Sequence, residues 1–273
     1  MGMAGCGDAP VSAILVTHAH RDHTAGVGVL ARRLGVGVYA TEGTWFEMGA
    51  LSLGIPEAQR HTIGSTEQWR IGCLELESFP TSHDALESVG YVVRREGGGG
   101  ALGIATDCGV FTDRMERLLR GVQILALEAN HDADMPRTGK YPHYLKKRIA
   151  GIDGHLSNDD AGAALGRIAG GCLQHVMLAH LSQENNTKEK ALASVRLALP
   201  TEGPALSVAH RCLPSEWIIV DEPNVAACGI APGADFRASG ALRPAMQSAR
   251  RTGQATVCTG QATVRTGQGT EGI

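Results

Sequence analysis

Within six residues, His18-Ala19-His20-Arg21-Asp22-His23, the chain places three imidazoles and a carboxylate, all of them ligands for a divalent cation. The run begins where a short apolar stretch, Ser12 to Val16, gives way to polar residues, so the ligands sit at the end of a strand feeding a loop. If strand geometry persists through the pair, His18 and His20 face the same way, while a turn after them swings Asp22 and His23 towards a second ion. A lone loop histidine is more often structural or solvated than ligating. Four ligand side chains in six residues resist that reading, and the chemistry they indicate is metal binding at two neighbouring sites.

The elements that must position these groups alternate between helix and strand. A helix is expected from Thr24 to Leu34, with Val27, Leu30 and Leu34 opposite Arg32 and Arg33; Gly35 stops it and a strand follows at Val36 to Ala40. Between Gln68 and Arg95 apolar and polar residues alternate, which predicts antiparallel strands. The glycines Gly97 to Gly100 lack a phosphate-loop lysine and predict a hairpin turn into a strand at Ala101 to Ala105. Helix then strand recurs as Thr112 to Leu119 before Gln123 to Leu127, and as Asn158 to Ile168 before Val176 to Ala179. Ser157 and Asp160 form a capping box ahead of the second of these helices. A helix over Lys188 to Leu199 and strands at Leu206 to Ala209 and Trp217 to Val220 complete a mixed α/β core. After Pro223 the periodicity vanishes and TGQATV occurs twice, so residues 223–273 are expected to form a low-complexity, disordered tail beside a domain at 1–222.

Composition bounds the function. Lys and Arg number 25 against 28 Asp and Glu, so no global basic field recruits nucleic acid and any polyanion site is a local patch. The seven cysteines are scattered without zinc-finger spacing and are expected to be free thiols. With no signal-peptide pattern and no apolar run long enough to span a bilayer, the expectation is a cytoplasmic chain with no membrane partner.

The HxHxDH run resembles the signature of the metallo-β-lactamase superfamily, and further matches follow in that superfamily's order. These are Thr81-Ser82-His83-Asp84, Thr106-Asp107, and His180 in Leu178-Ala179-His180-Leu181-Ser182, each after a predicted strand. The resemblance implies an αββα sandwich. It implies that His18, His20 and His83 bind one ion, that Asp22, His23 and His180 bind another, and that Asp107 bridges them. Two divalent ions sharing a water would make a di-metal-bound hydroxide available near neutral pH, with Asp22 able to orient it; zinc suits the histidine-rich set and manganese is the alternative.

Within the superfamily the chain is most similar to the YycJ/WalJ-like group, relatives of the tRNA 3′-processing nucleases. The similarity runs through Leu127-Glu128-Ala129-Asn130-His131-Asp132, Tyr141-Pro142 with Leu145-Lys146-Lys147-Arg148-Ile149, Gly154-His155-Leu156-Ser157-Asn158, and Ala179 to Ser182 with Glu184-Asn185-Asn186. It covers roughly Val11 to Val220, and implies that His155, poised by Glu128, donates a proton to the departing alkoxide. The competing readings are a helix-start His155 bonded to backbone and a Glu128 that merely holds its loop. For Asn185 and Asn186 turn formation is the favoured reading. His131 is open between the cleft and a loop bond, Cys108 is assigned nothing, and His61, His143, His175 and His210 are read as structural. Lys146, Lys147 and Arg148 are the basic cluster best placed to position a phosphate backbone.

The chain reaches its first motif at residue 18, whereas the superfamily carries several strands ahead of it. The expectation is an N-terminally truncated sandwich whose exposed sheet edge permits self-association. The function expected is hydrolysis of a phosphodiester in DNA or RNA. Hydrolysis of a thioester or lactam, and a non-catalytic metal-binding remnant, are the alternatives.

Overall fold

The computed structural model describes residues 11–97, 100–135, 142–169, 172–211, 213–219, 255–259 and 262–266. Strands β1 (Ala13–Leu15), β2 (Gly37–Thr41) and β3 (Arg60–Ile63) form a parallel three-stranded sheet in that order. A second, seven-stranded sheet has the order β10-β9-β8-β7-β6-β5-β4, from β4 (Gln68–Ile71), β5 (Leu74–Pro80), β6 (Val89–Arg95), β7 (Ala101–Ala105), β8 (Ile124–Glu128), β9 (His175–Ala179) and β10 (Ala205–Val208). Strands β4 to β7 pair antiparallel, as the alternation predicts for the first three, and β7 to β10 pair parallel.

Period-two alternation sends successive side chains to opposite faces and so builds the layers. Ala13, Leu15 and Tyr39 point from the small sheet onto Trp69, Leu76, Tyr91 and Val93 of the large one. Val16, Val38 and Ala40 point the other way, under α2 (Val27–Leu34) and α3 (Glu42–Met48). On the far side of the large sheet Val92, Leu125, Leu127, Val176 and Leu178 pack against α4 (Asp113–Leu119), α6 (Asn158–Ile168) and α7 (Lys188–Ala198). The result is the expected αββα order. Two short elements complete the set: α1 (Arg21–Thr24), directly after His20, and α5 (His143–Ile149), which carries the basic run.

Helix boundaries follow local chemistry. Gly35 closes α2 at φ 67°, a conformation that costs glycine nothing. Ser157 opens α6 with its hydroxyl accepting from Asp160 N at 3.1 Å, while the Asp160 carboxylate accepts from Ser157 N, the capping box read from sequence.

Three expectations are corrected. Residues 217–219 form no strand, although Ile218 is buried against Leu102, Ile104, Ile124 and Met177, so the apolar run is used for side-chain cover rather than sheet pairing. Cys172 is disulfide-bonded, while Cys73 and Cys108 are free; pairing depends on proximity in the fold, which spacing does not encode. In the tail, β11 (Ala255–Thr259) and β12 (Ala262–Thr266) pair antiparallel as a ribbon of their own, with Val257 opposite Val264. Each copy of ATV supplies β-branched residues that favour extended backbone. The rest of the tail lies outside the described residues. Among the described residues no helix is long and apolar enough to cross a membrane.

Candidate metal centre

Strand direction gathers the candidate ligands. Strands β5, β7, β8 and β9 run the same way in the large sheet, so their carboxyl ends share one edge. His83 follows β5, Asp107 follows β7, Glu128 ends β8 and His180 follows β9. That edge is where open α/β sheets hold ligands. The HxHxDH loop comes from the other sheet and is pinned across the gap by two bonds. The Tyr91 hydroxyl donates to Val16 O at 2.5 Å, and Val89 N donates to Thr17 O at 2.9 Å.

Two sets of donors result. In the first, His20 Nδ1 lies 3.0 Å from His18 Nε2 and 3.1 Å from His83 Nε2. One imidazole nitrogen offers a single proton or a single lone pair, so hydrogen bonds alone do not satisfy this convergence. Nitrogens about 2.0–2.1 Å from a tetrahedral ion stand roughly 3.3 Å apart, close to what is observed. In the second set Asp22 Oδ2 lies 3.6 Å from His23 Nε2 and 3.7 Å from His180 Nε2. Asp107 stands between them: Oδ1 is 3.7 Å from His83 Nε2 and 3.9 Å from His18 Nε2, and Oδ2 is 3.4 Å from His23 Nε2. Asp107 is 1% exposed and its Oδ2 accepts no hydrogen bond among the described residues. An orphaned buried carboxylate oxygen facing imidazole nitrogens fits a pair of cations. Asp107 and His180 also share a left-handed backbone, φ 55° and 56°, a strain that non-glycine residues hold where a site demands it.

Charge divides along the same line. Burial, reinforced by His23, His83 and His20, lowers the His18 pKa to about 2, so its ring is neutral with a free lone pair. Burial also lowers His83. For His180, burial acts downward, but the Asp22 carboxylate 3.7 Å away and the hydrogen bond to Glu128 outweigh it and push the pKa up to about 11. The nearby His180 imidazole holds Asp22 below the usual carboxylate range against the effect of burial. Surroundings that hold a proton on His180 at neutral pH also favour a metal cation there.

Behind the first row, partners set the tautomers. His83 Nδ1 donates to Gly154 O at 3.1 Å, leaving Nε2 for the cluster. Glu128 is fully buried, and its Oε1 accepts from His155 Nδ1 at 2.8 Å and from His180 Nδ1 at 2.7 Å. Its Oε2 accepts from Cys108 N at 3.0 Å and Leu156 N at 3.1 Å. Burial acts to raise the Glu128 pKa, yet the bonds from His155 and His180 prevail and keep it ionised. Glu128 therefore ties its loop to the backbone and also orients two imidazoles. The His155 ring bonds a carboxylate, while its backbone N–H donates to Ile149 O at 2.9 Å.

A cavity of about 200 Å³ opens here, lined by His20, Asp22, His83, Asp84, Asp107, Arg148, Ile149, Gly154, His155 and His180. Of the basic run Arg148 lines it, while Lys146 and Lys147 do not. His131 is buried beside Ser157 and away from this lining. His61 stacks on Tyr39 and His175 bonds Ser207, both structural. The His143 side chain lies outside the described residues. Asn186 is buried and its amide donates to Ala129 O and Asn130 O, while Asn158 and Thr187 N donate to its oxygen. It is a clasp between the Glu128 and His155 loops, more than the turn-former expected. Sequence reasoning passed over Asp84, which carries a carboxylate into the cavity although it adjoins His83 in the quoted motif.

Residues 6–181 match the family model described as "Beta-lactamase superfamily domain". The chain is 41% identical over 193 residues to "Exodeoxyribonuclease YycJ" of Bacillus anthracis, covering 71% of this chain and 72% of that one. It is 40% identical over 183 residues to "Exodeoxyribonuclease WalJ" of Streptococcus pneumoniae serotype 2, covering 66% and 67%. Among solved structures the zinc-bound PqqB of Methylobacterium extorquens superposes with a TM-score of 0.57 at 21% identity, over 74% of this chain and 71% of that one. Fold, ligand order and sequence identity coincide, and the chain belongs to the β-lactamase superfamily, in its YycJ/WalJ-like group.

Proposed function

We propose that this chain is a metal-dependent nuclease that hydrolyses phosphodiesters in DNA, releasing nucleotides from an end. The observation that carries the reading is His155 in the wall of the cavity, held from behind by the buried Glu128 carboxylate. An alkoxide leaves a phosphodiester only with difficulty unless it is protonated, and an imidazole held by a buried carboxylate is a suitable donor near neutral pH. The names of the relatives, exodeoxyribonucleases at 40–41% identity, support DNA and end-wise action.

His18, His20 and His83 would hold one divalent ion, Asp22, His23 and His180 a second, with Asp107 between them; zinc suits this donor set and manganese is the alternative. The ions would supply activated water and neutralise charge on the attacked phosphate. The chain's own residues do the rest. Asp22 faces the cavity and orients the incoming water, Glu128 holds His155, and His155 delivers the proton to the leaving oxygen. The basic run Lys146, Lys147 and Arg148 attracts the phosphate backbone, with Arg148 in the cavity wall, and a DNA substrate implies a cytoplasmic setting.

The test is incubation of end-labelled DNA and RNA strands with the purified chain and zinc or manganese, beside Asp107→Ala. Mononucleotides from DNA with the parent and none with the variant support the reading. Turnover of a thioester or lactam by a chain inert towards both nucleic acids would sink it.

A further inference from the structure

Arg148 closes α5 and reaches Asp84 across the cleft, both its Nε and its Nη2 contacting Asp84 Oδ2. Both side chains line the cavity. The other Asp84 oxygen, Oδ1, lies 3.5 Å from His83 Nε2 and 3.8 Å from His20 Nε2. A carboxylate at the mouth of a site for an anionic substrate is unfavourable unless it is neutralised, and Arg148 neutralises it. The Arg148 side chain is 58% exposed, so it can rotate without breaking the core. Its fork matches two phosphate oxygens as well as it matches a carboxylate.

Resting on the nuclease reading, we propose that Arg148 is the phosphate-positioning residue of the cleft and that Asp84 is its parking site, so that a substrate phosphate and Asp84 compete for the same guanidinium. The exchange selects for phosphate. A neutral ester offers nothing to draw Arg148 away, while a phosphate replaces the carboxylate with a ligand of the same geometry. Lys146 and Lys147, outside the cavity lining, add only general backbone attraction.

The experiment measures binding of a phosphorothioate-linked DNA oligonucleotide, which resists hydrolysis, to the zinc-loaded chain across a salt series. Arg148→Ala should weaken binding about tenfold and lower the slope of log affinity against log salt by about one. Arg148→Lys should keep the slope and recover only part of the affinity, having charge without the fork. Asp84→Asn should tighten binding about threefold when Arg148 is present, and clearly less in the Arg148→Ala background, because the two are coupled. An Arg148→Ala variant with parental affinity and slope, or strictly additive effects of the two substitutions, overturns the inference and leaves the nuclease reading standing. A parent that binds no oligonucleotide overturns both.

Discussion

His155 Nδ1 and Glu128 Oε1 lie 2.8 Å apart, joining the loop before α6 to the end of β8 through a carboxylate with no exposed surface. With Nδ1 turned to Glu128, Nε2 is the ring atom left to serve a leaving group. The pair therefore makes a prediction that depends on what leaves.

His155→Ala should reduce cleavage of ordinary DNA by about a hundredfold, the usual scale for loss of a general acid. A p-nitrophenyl ester of a deoxynucleotide, whose phenolate departs without a proton, should lose far less. Comparing the two substrates with parent and variant checks this, and an equal loss on both would place His155 in structure rather than proton transfer.

Asp107 Oδ2 is buried and accepts no hydrogen bond among the described residues. Asp107→Asn removes the charge, and asparagine tolerates the φ of 55°. The metal-free variant should be more stable than the parent by about 1 kcal/mol, whereas zinc should raise the parent's melting temperature much more than the variant's. Thermal melts in chelator and in zinc read both signs.

His131 is buried, and burial is the leading cause of its lowered pKa. The unfolded chain then binds a proton more readily than the folded one as pH falls below about 6.5. The stability due to neutral His131 is fully present above that pH and is lost on acidification towards its lower folded value. The parent should lose melting temperature between pH 7 and 5 more steeply than His131→Asn, and parallel curves would refute the assignment.

A Cβ on Gly154 would collide with the carbonyl oxygens of Ile149 and Arg148, which are backbone and cannot swing aside. Gly154→Ala should cost about 1–3 kcal/mol in a urea titration. Because Gly154 O also fixes the His83 tautomer, the variant should bind zinc at least tenfold more weakly.

How much of this was legible beforehand depends on the range of the interaction. The HxHxDH run, the capping box of Ser157 and Asp160, the stop at Gly35 and the alternation through β4 to β6 are set by neighbours along the chain, whose spacing maps directly onto helix and strand periods. His83, Asp107 and His180 were legible through the resemblance to the superfamily's motif order, each after a predicted strand. The sequence by itself therefore determined which groups are available and at which strand ends they stand. Tertiary structure decided what they meet. The sharing of Glu128 by His155 and His180, the grip of Gly154 on His83 and the reach of Arg148 to Asp84, 64 residues away, arise only when strands of common direction bring their ends to one edge. Sheet order is a non-local property, and no local spacing carries it.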